Sequence, residues 1–164
     1  MKKATKITSS LLVGLLSVAA LSVSASALEN GAAATPPMGW SSWNQFHQTV
    51  SEDLIKETAD ALEKYGLVDL GYTYVNIDDN WQSAARDENG DLTNDPFRFP
   101  HGIKYLADYV HAKDMKLGLY TSNGKYTCEE LPASLYNEYK DAKKFAEWGI
   151  DYFKYDYCHT INMP

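Results

Sequence analysis

Two short runs of this 164-residue chain end in side chains able to do chemistry. Lys154 and Asp156 stand two residues apart at the end of Gly149-Ile150-Asp151-Tyr152-Phe153-Lys154-Tyr155-Asp156-Tyr157-Cys158. In a strand that spacing turns both side chains to one face. Asp78 and Asp79 close a second run that begins at Tyr72. If the strands are parallel and close into a barrel, the shared face is the interior, and active sites sit at its C-terminal end. Trp43 and Tyr120 belong to the ends of two further apolar runs. The set is carboxylates, a cation and aromatics, with no Cys-x-x-Cys, His-x-His or His-Glu-x-x-His spacing to bind zinc. Such a rim suits glycoside hydrolysis, in which one carboxylate attacks the anomeric carbon or activates water and a second acid protonates the leaving oxygen. Lys154 would favour the ionised form of Asp156 by opposite charge.

Those residues need strands to carry them. Pro36-Pro37-Met38-Gly39-Trp40 opens an extended segment expected to run to Phe46. Ser51, or Thr49 with Glu52 as a capping box, starts a helix whose Leu54, Ile55, Ala59 and Leu62 recur at helical spacing, ending at Gly66. Tyr72 to Asp78 is the second strand. The loop after it contains Arg86-Asp87-Glu88-Asn89-Gly90-Asp91-Leu92, a tight turn with Asn-Gly at its tip. Counted from Asp87, the glycine falls at the fourth position and Arg98 at the twelfth, which excludes an EF-hand calcium loop. Gly102 to Lys113 is a helix with Ile103, Leu106, Ala107 and Val110 on one face, and Lys116 to Thr121 is the third strand. A helix from about Tyr136 to Trp148 stops at Gly149, and the fourth strand follows.

The strand ends, Asn44, Asp78, Thr121 and Asp156, are spaced as successive βα units are, and such units make a parallel sheet with right-handed crossovers. No Gly-x-Gly-x-x-Gly follows the first strand, so a dinucleotide fold has no phosphate site and no cofactor is expected. The expected fold class is α/β, a parallel (β/α)8 barrel. Eight units need about 250 residues. Residues 28–164 are therefore expected to supply about the first four units of a catalytic barrel, an incomplete one.

Composition narrows the partners. The chain is 45% hydrophobic and 13% aromatic, enough to bury a core and unlike a disordered segment. Lys2, Lys3 and Lys6, the apolar run Leu11 to Leu21, and Ala25-Ser26-Ala27 read as a signal peptide over 1–27, so the protein is expected to be secreted, with no membrane association after cleavage. Losing those three lysines takes the formal charge from −7 to −10, which argues against nucleic acid or anionic lipid and leaves a neutral ligand such as a sugar. Cys128 and Cys158 are the only cysteines. In an oxidising compartment an even count favours one disulfide, stabilising by roughly 3 to 4 kcal/mol, with two buried thiols as the alternative.

Four motifs in order resemble the melibiase-type α-galactosidases, glycoside hydrolase family 27, across nearly all of residues 35–160. They are Thr35-Pro36-Pro37-Met38-Gly39-Trp40 with Trp43; Asn76-Ile77-Asp78-Asp79-Asn80-Trp81; Arg86-Asp87 through Gly90 to Asp95-Pro96-Phe97-Arg98-Phe99-Pro100-His101-Gly102; and Lys154-Tyr155-Asp156-Tyr157-Cys158. The resemblance implies a retaining α-galactosidase with Asp156 as nucleophile. It also implies that Trp43, Asp78, Asp79, Tyr120 and Lys154 shape a galactose pocket and that Cys128 and Cys158 are bridged. On the residues alone, Trp43 reads equally as core, Asp79 as a partner for a loop amide, and Trp40 and Trp81 as structural. Asn80 departs from the family, where many members carry a cysteine, and so does Tyr157, where a smaller residue is common. The family's acid/base carboxylate comes from a later strand, outside this chain. An α-N-acetylgalactosaminidase of the same family and a noncatalytic sugar-binding barrel segment are the alternative readings.

Overall fold

Strands alternating with helices that bury one face give this chain a layered α/β arrangement, seen in a computed structural model that describes Gly31 and residues 34–160. The expected signal peptide lies outside the described residues. Four strands, β1 (Gly39–Ser41), β2 (Tyr74–Asn76), β3 (Lys116–Ser122) and β4 (Tyr152–Asp156), form one parallel sheet in the order β1-β2-β3-β4. The connections carry a short helix α1 (Trp43–Phe46) with a 3-10 turn at His47–Thr49, then α2 (Glu52–Lys64), α3 (Ile103–His111) and α4 (Glu138–Trp148). Among the described residues no helix is long and apolar enough to cross a membrane.

The two faces of the sheet have different tasks. Val75, Ile77, Leu117 and Leu119 are buried in one cluster with Ile55 and Ala59 of α2, Leu106 and Val110 of α3, and Phe145 of α4. Each of the Val, Ile, Leu and Phe side chains contributes about 1.5–3 kcal/mol when fully buried. On the other face Ser41, Asn76, Gly118 and Tyr152 stand in register across the sheet, and Tyr120 pairs with Lys154 one layer nearer the C-terminal ends. A Cβ on Gly118 would lie 2.0 Å from Asn76 Oδ1, so glycine lets the asparagine lie across β3. β4 is an edge strand among the described residues, with Tyr152, Phe153 and Tyr155 between 39% and 46% exposed.

Local chemistry adjusts several expected boundaries. The first strand stops at Ser41 instead of running to Phe46. The Ser42 N–H donates the last sheet bond to Asn76 O (3.1 Å), and the Phe46 N–H then donates to Ser42 O (3.0 Å), so the chain turns into α1. Ser51 caps α2, its Oγ accepting from Leu54 N–H at 3.3 Å. Glu52 does not complete a capping box: its buried carboxylate accepts from the His101 N–H (3.0 Å) and meets His101 Nδ1 (2.8 Å). The last helix begins at Glu138 because Tyr136 has φ 64°, outside the helical region. It ends as expected at Gly149, which takes φ 80° while Ile150 N–H returns to Phe145 O at 3.0 Å. At the expected tight turn Asp87 Oδ1 accepts from the Asn89 and Asp91 N–H groups, at 2.9 and 2.8 Å.

Candidate active site

The C-terminal ends of β2 and β4 bring three charges together. Beyond Asn76 the chain leaves β2 through Ile77 and presents Asp78, whose N–H donates to Ser42 Oγ at 3.0 Å. Asp78 Oδ1 accepts from the Asp79 N–H (2.9 Å), and Oδ2 lies 3.5 Å from Ser41 Oγ. Lys154 points from β4 toward the same place, its Nζ 3.1 Å from Asp78 Oδ2 and 3.3 Å from Asp156 Oδ2. Asp156 Oδ1 accepts from the Tyr157 N–H at 2.8 Å. One ammonium thus holds two carboxylates from different strands, the shared face that the two-residue spacing requires.

The charges act on one another and on Tyr120. Partial burial works against the Lys154 ammonium, but the hydrogen bond and charge of Asp78, followed by those of Asp156, outweigh it and raise its pKa. The Tyr120 phenol is raised first by burial and then by the charges of Asp79, Asp156 and Asp78, against a hydrogen bond with the Cys128 backbone that lowers it. Tyr120 therefore remains a protonated donor; Lys154 Nζ lies 5.0 Å from its ring centroid, within cation–π range.

Asp79 is almost wholly buried, 2% exposed, and its carboxylate turns to a loop instead of to Lys154. It accepts from the Asn80 N–H (2.8 Å) and the Glu129 N–H (3.1 Å). Burial raises its pKa, while the Asn80 N–H, the Thr127 hydroxyl and the Glu129 N–H pull it partly back.

That loop is fastened from both sides. Cys128 and Cys158 form a disulfide with Cα atoms 5.1 Å apart, joining it to the exit of β4. The two sulfurs and an Asp156 carboxylate oxygen lie within 4.8 Å of one another, but sulfurs bonded together offer no thiolate to a metal. On the other side Arg86 makes a two-pronged ion pair with Asp141 of α4, at 2.7 and 2.6 Å, and donates to Ala133 O at 2.8 Å and Gly90 O at 3.0 Å.

Of the residues singled out in the sequence, Asp78, Lys154 and Asp156 meet directly, and Tyr120 lies beneath Lys154. Asp79 is adjacent, with a loop amide as partner. Trp43 opens α1 directly after Ser42, half-buried, its ring edge-on to His47 at 5.3 Å. Trp81 is fully buried, donating from Nε1 to Tyr120 O at 2.8 Å. Sequence reading missed Ser42, whose hydroxyl accepts from the Asp78 N–H across a separation that no local spacing announces, and Asp141. For Asp141 a signal existed: it lies four residues before Phe145 on the buried side of α4, where a carboxylate needs a cation.

A parallel βα sheet with two carboxylates and a lysine at its C-terminal rim defines the class: the first four βα units of a (β/α)8 barrel. The chain belongs to the alpha galactosidase A family, the melibiase type of glycoside hydrolase family 27, which it matches over residues 35–164. It is 55% identical over 136 residues to alpha-galactosidase 3 of Arabidopsis thaliana, covering 83% of this chain and 31% of that protein. Alpha-galactosidase I from Mortierella vinacea superposes with a TM-score of 0.80 at 48% identity, covering 82% of this chain and 34% of that one. The alpha-galactosidase from Saccharomyces cerevisiae solved with raffinose gives a TM-score of 0.79 at 44% identity, with 81% and 29% covered. The chain thus spans about a third of the length of the relatives it matches.

Proposed function

We propose that this chain carries the nucleophile side of an exported retaining α-galactosidase that releases terminal α-linked galactose from oligo- or polysaccharides. The observation that carries the reading is the Lys154 ammonium held between Asp78 and Asp156 at two strand ends. Asp156 attacks the anomeric carbon while an acid from another part of the barrel protonates the leaving oxygen, giving a covalent glycosyl-enzyme. The same acid, now a base, then deprotonates the water that releases galactose. Lys154 places its ammonium 3.3 Å from the Asp156 carboxylate, and Asp78 and Asp79 accept sugar hydroxyls. Tyr120 donates from a phenol that stays protonated. Trp43 supplies an apolar wall. Export is supported by the pattern of residues 1–27 and by the disulfide, which persists in oxidising compartments.

The test is Asp156→Asn in the full-length enzyme that contains this chain. Turnover of an aryl α-galactoside and of raffinose is expected to vanish with the circular dichroism unchanged. In Asp156→Gly, azide should enter from the vacated face and yield β-galactosyl azide. Wild-type turnover surviving in Asp156→Asn would refute the nucleophile assignment.

A further inference from the structure

Beyond Asp156 the loops build a second recess that the proposed mechanism does not use, lined by Tyr126, Glu130 and His159. The Tyr126 and His159 rings meet edge-on, centroids 6.2 Å apart, and Tyr126 is 40% exposed. The covalent frame is short. Tyr126 lies two residues before Cys128 and His159 directly follows Cys158, so the disulfide ties the two rings to each other. Both sulfurs lie within 4.8 Å of an Asp156 carboxylate oxygen, which places the recess beside the nucleophile.

The recess is built rather than loose. A Cβ on Gly124 would fall 2.0 Å from Cys158 O, so the two loops touch backbone to backbone. Tyr126 also pairs with Pro132 across an antiparallel bridge. His159 and Glu130 take φ of 51° and 62°, which side chains other than glycine adopt only where surrounding structure imposes it. Tyr126 also lines a further recess with Lys125, Leu135 and Tyr136.

An exposed aromatic pair beside a carboxylate fits a pyranose, whose apolar face stacks on a ring while its hydroxyls donate to the acid. The geometry points to a leaving-group subsite: Tyr126 and His159 seat the sugar to which galactose is attached, Glu130 accepts its hydroxyls, and the second recess lined by Tyr126 takes further units of the chain. This rests on the galactosidase reading.

The experiment compares raffinose with α-galactosyl fluoride, which has no leaving sugar, in the full-length enzyme. Tyr126→Ala and His159→Ala should each lower kcat/KM for raffinose about tenfold, equivalent to about 1.4 kcal/mol, with the loss confined to raffinose. Tyr126→Phe, which keeps the ring, should recover wild-type kinetics. Equal losses on both substrates in both alanine variants, or unchanged raffinose kinetics in both, would overturn the subsite and leave the galactosidase reading standing. Wild-type enzyme inert toward the fluoride would overturn the galactosidase reading and the subsite with it.

Discussion

Arg86→Ala should be among the most damaging single substitutions outside the catalytic set. Asp141 is 2% exposed at its side chain, and among the described residues its two oxygens are met only by the Arg86 guanidinium, at 2.7 and 2.6 Å. Removing one partner of a buried pair leaves an uncompensated charge, at a cost of about 3–5 kcal/mol. The bonds to Gly90 O and Ala133 O add less than their full worth, because the arginine side chain is 17% exposed and water can replace it there. A loss of about 4 kcal/mol follows, read as a drop in the urea midpoint at unchanged slope. Replacing both partners by apolar residues, Arg86→Met with Asp141→Leu, should recover most of it, to within about 1–2 kcal/mol of wild type. The single variant should also lose activity, because Ala133 belongs to the loop that brings the Glu129 N–H to Asp79. A cost below about 1 kcal/mol for Arg86→Ala, or a double variant no better than the single one, would refute the buried-charge argument.

The disulfide closes a separation of 30 residues, so Cys128→Ala with Cys158→Ala should lower stability by about 3.5 kcal/mol. Wild type unfolded in dithiothreitol should match that variant, and an unshifted midpoint would count against the bridge. Asp79 gives a pH signature. Its native pKa is raised by burial, so the folded state holds the proton more tightly than the unfolded one, and the group's contribution to stability is lost as pH rises through the native value. Urea titrations of wild type and Asp79→Asn should show wild type losing stability relative to the variant from about pH 3.5 upward. A difference independent of pH would contradict the burial of that carboxylate.

How much of this was legible depends on how local the determinants are. The helices α2 and α3 announced themselves because Leu54, Ile55, Ala59 and Leu62, and then Ile103, Leu106 and Val110, report a buried stripe directly. Lys154 and Asp156 could be paired from sequence because strand geometry fixes their common face. Asp78 as the third member depended on strand order, which the βα alternation supplies. What escaped was set by long-range partners. The early end of β1 depends on Ser42 bonding to Asp78, Glu52 is taken by His101, and Asp141 is recruited by Arg86, pairs separated by 36, 49 and 55 positions. The turn of Asp79 toward Glu129 is of the same kind: alternation predicts a face only while the strand lasts, and β2 has ended at Asn76.

The exposed edge strand has a consequence for how such a protein is made. In the full-length barrel proposed above, β4 would leave the ribosome before a later strand could pair with it, so Tyr152, Phe153 and Tyr155 would face solvent on a parallel edge for seconds. Aromatic-rich edges of that kind recruit neighbouring nascent chains. Lys154 interrupts the run at its centre with a charge, the device by which hydrophobic edges resist self-association. The lysine that steadies two carboxylates in the finished site would thus also guard the unfinished chain.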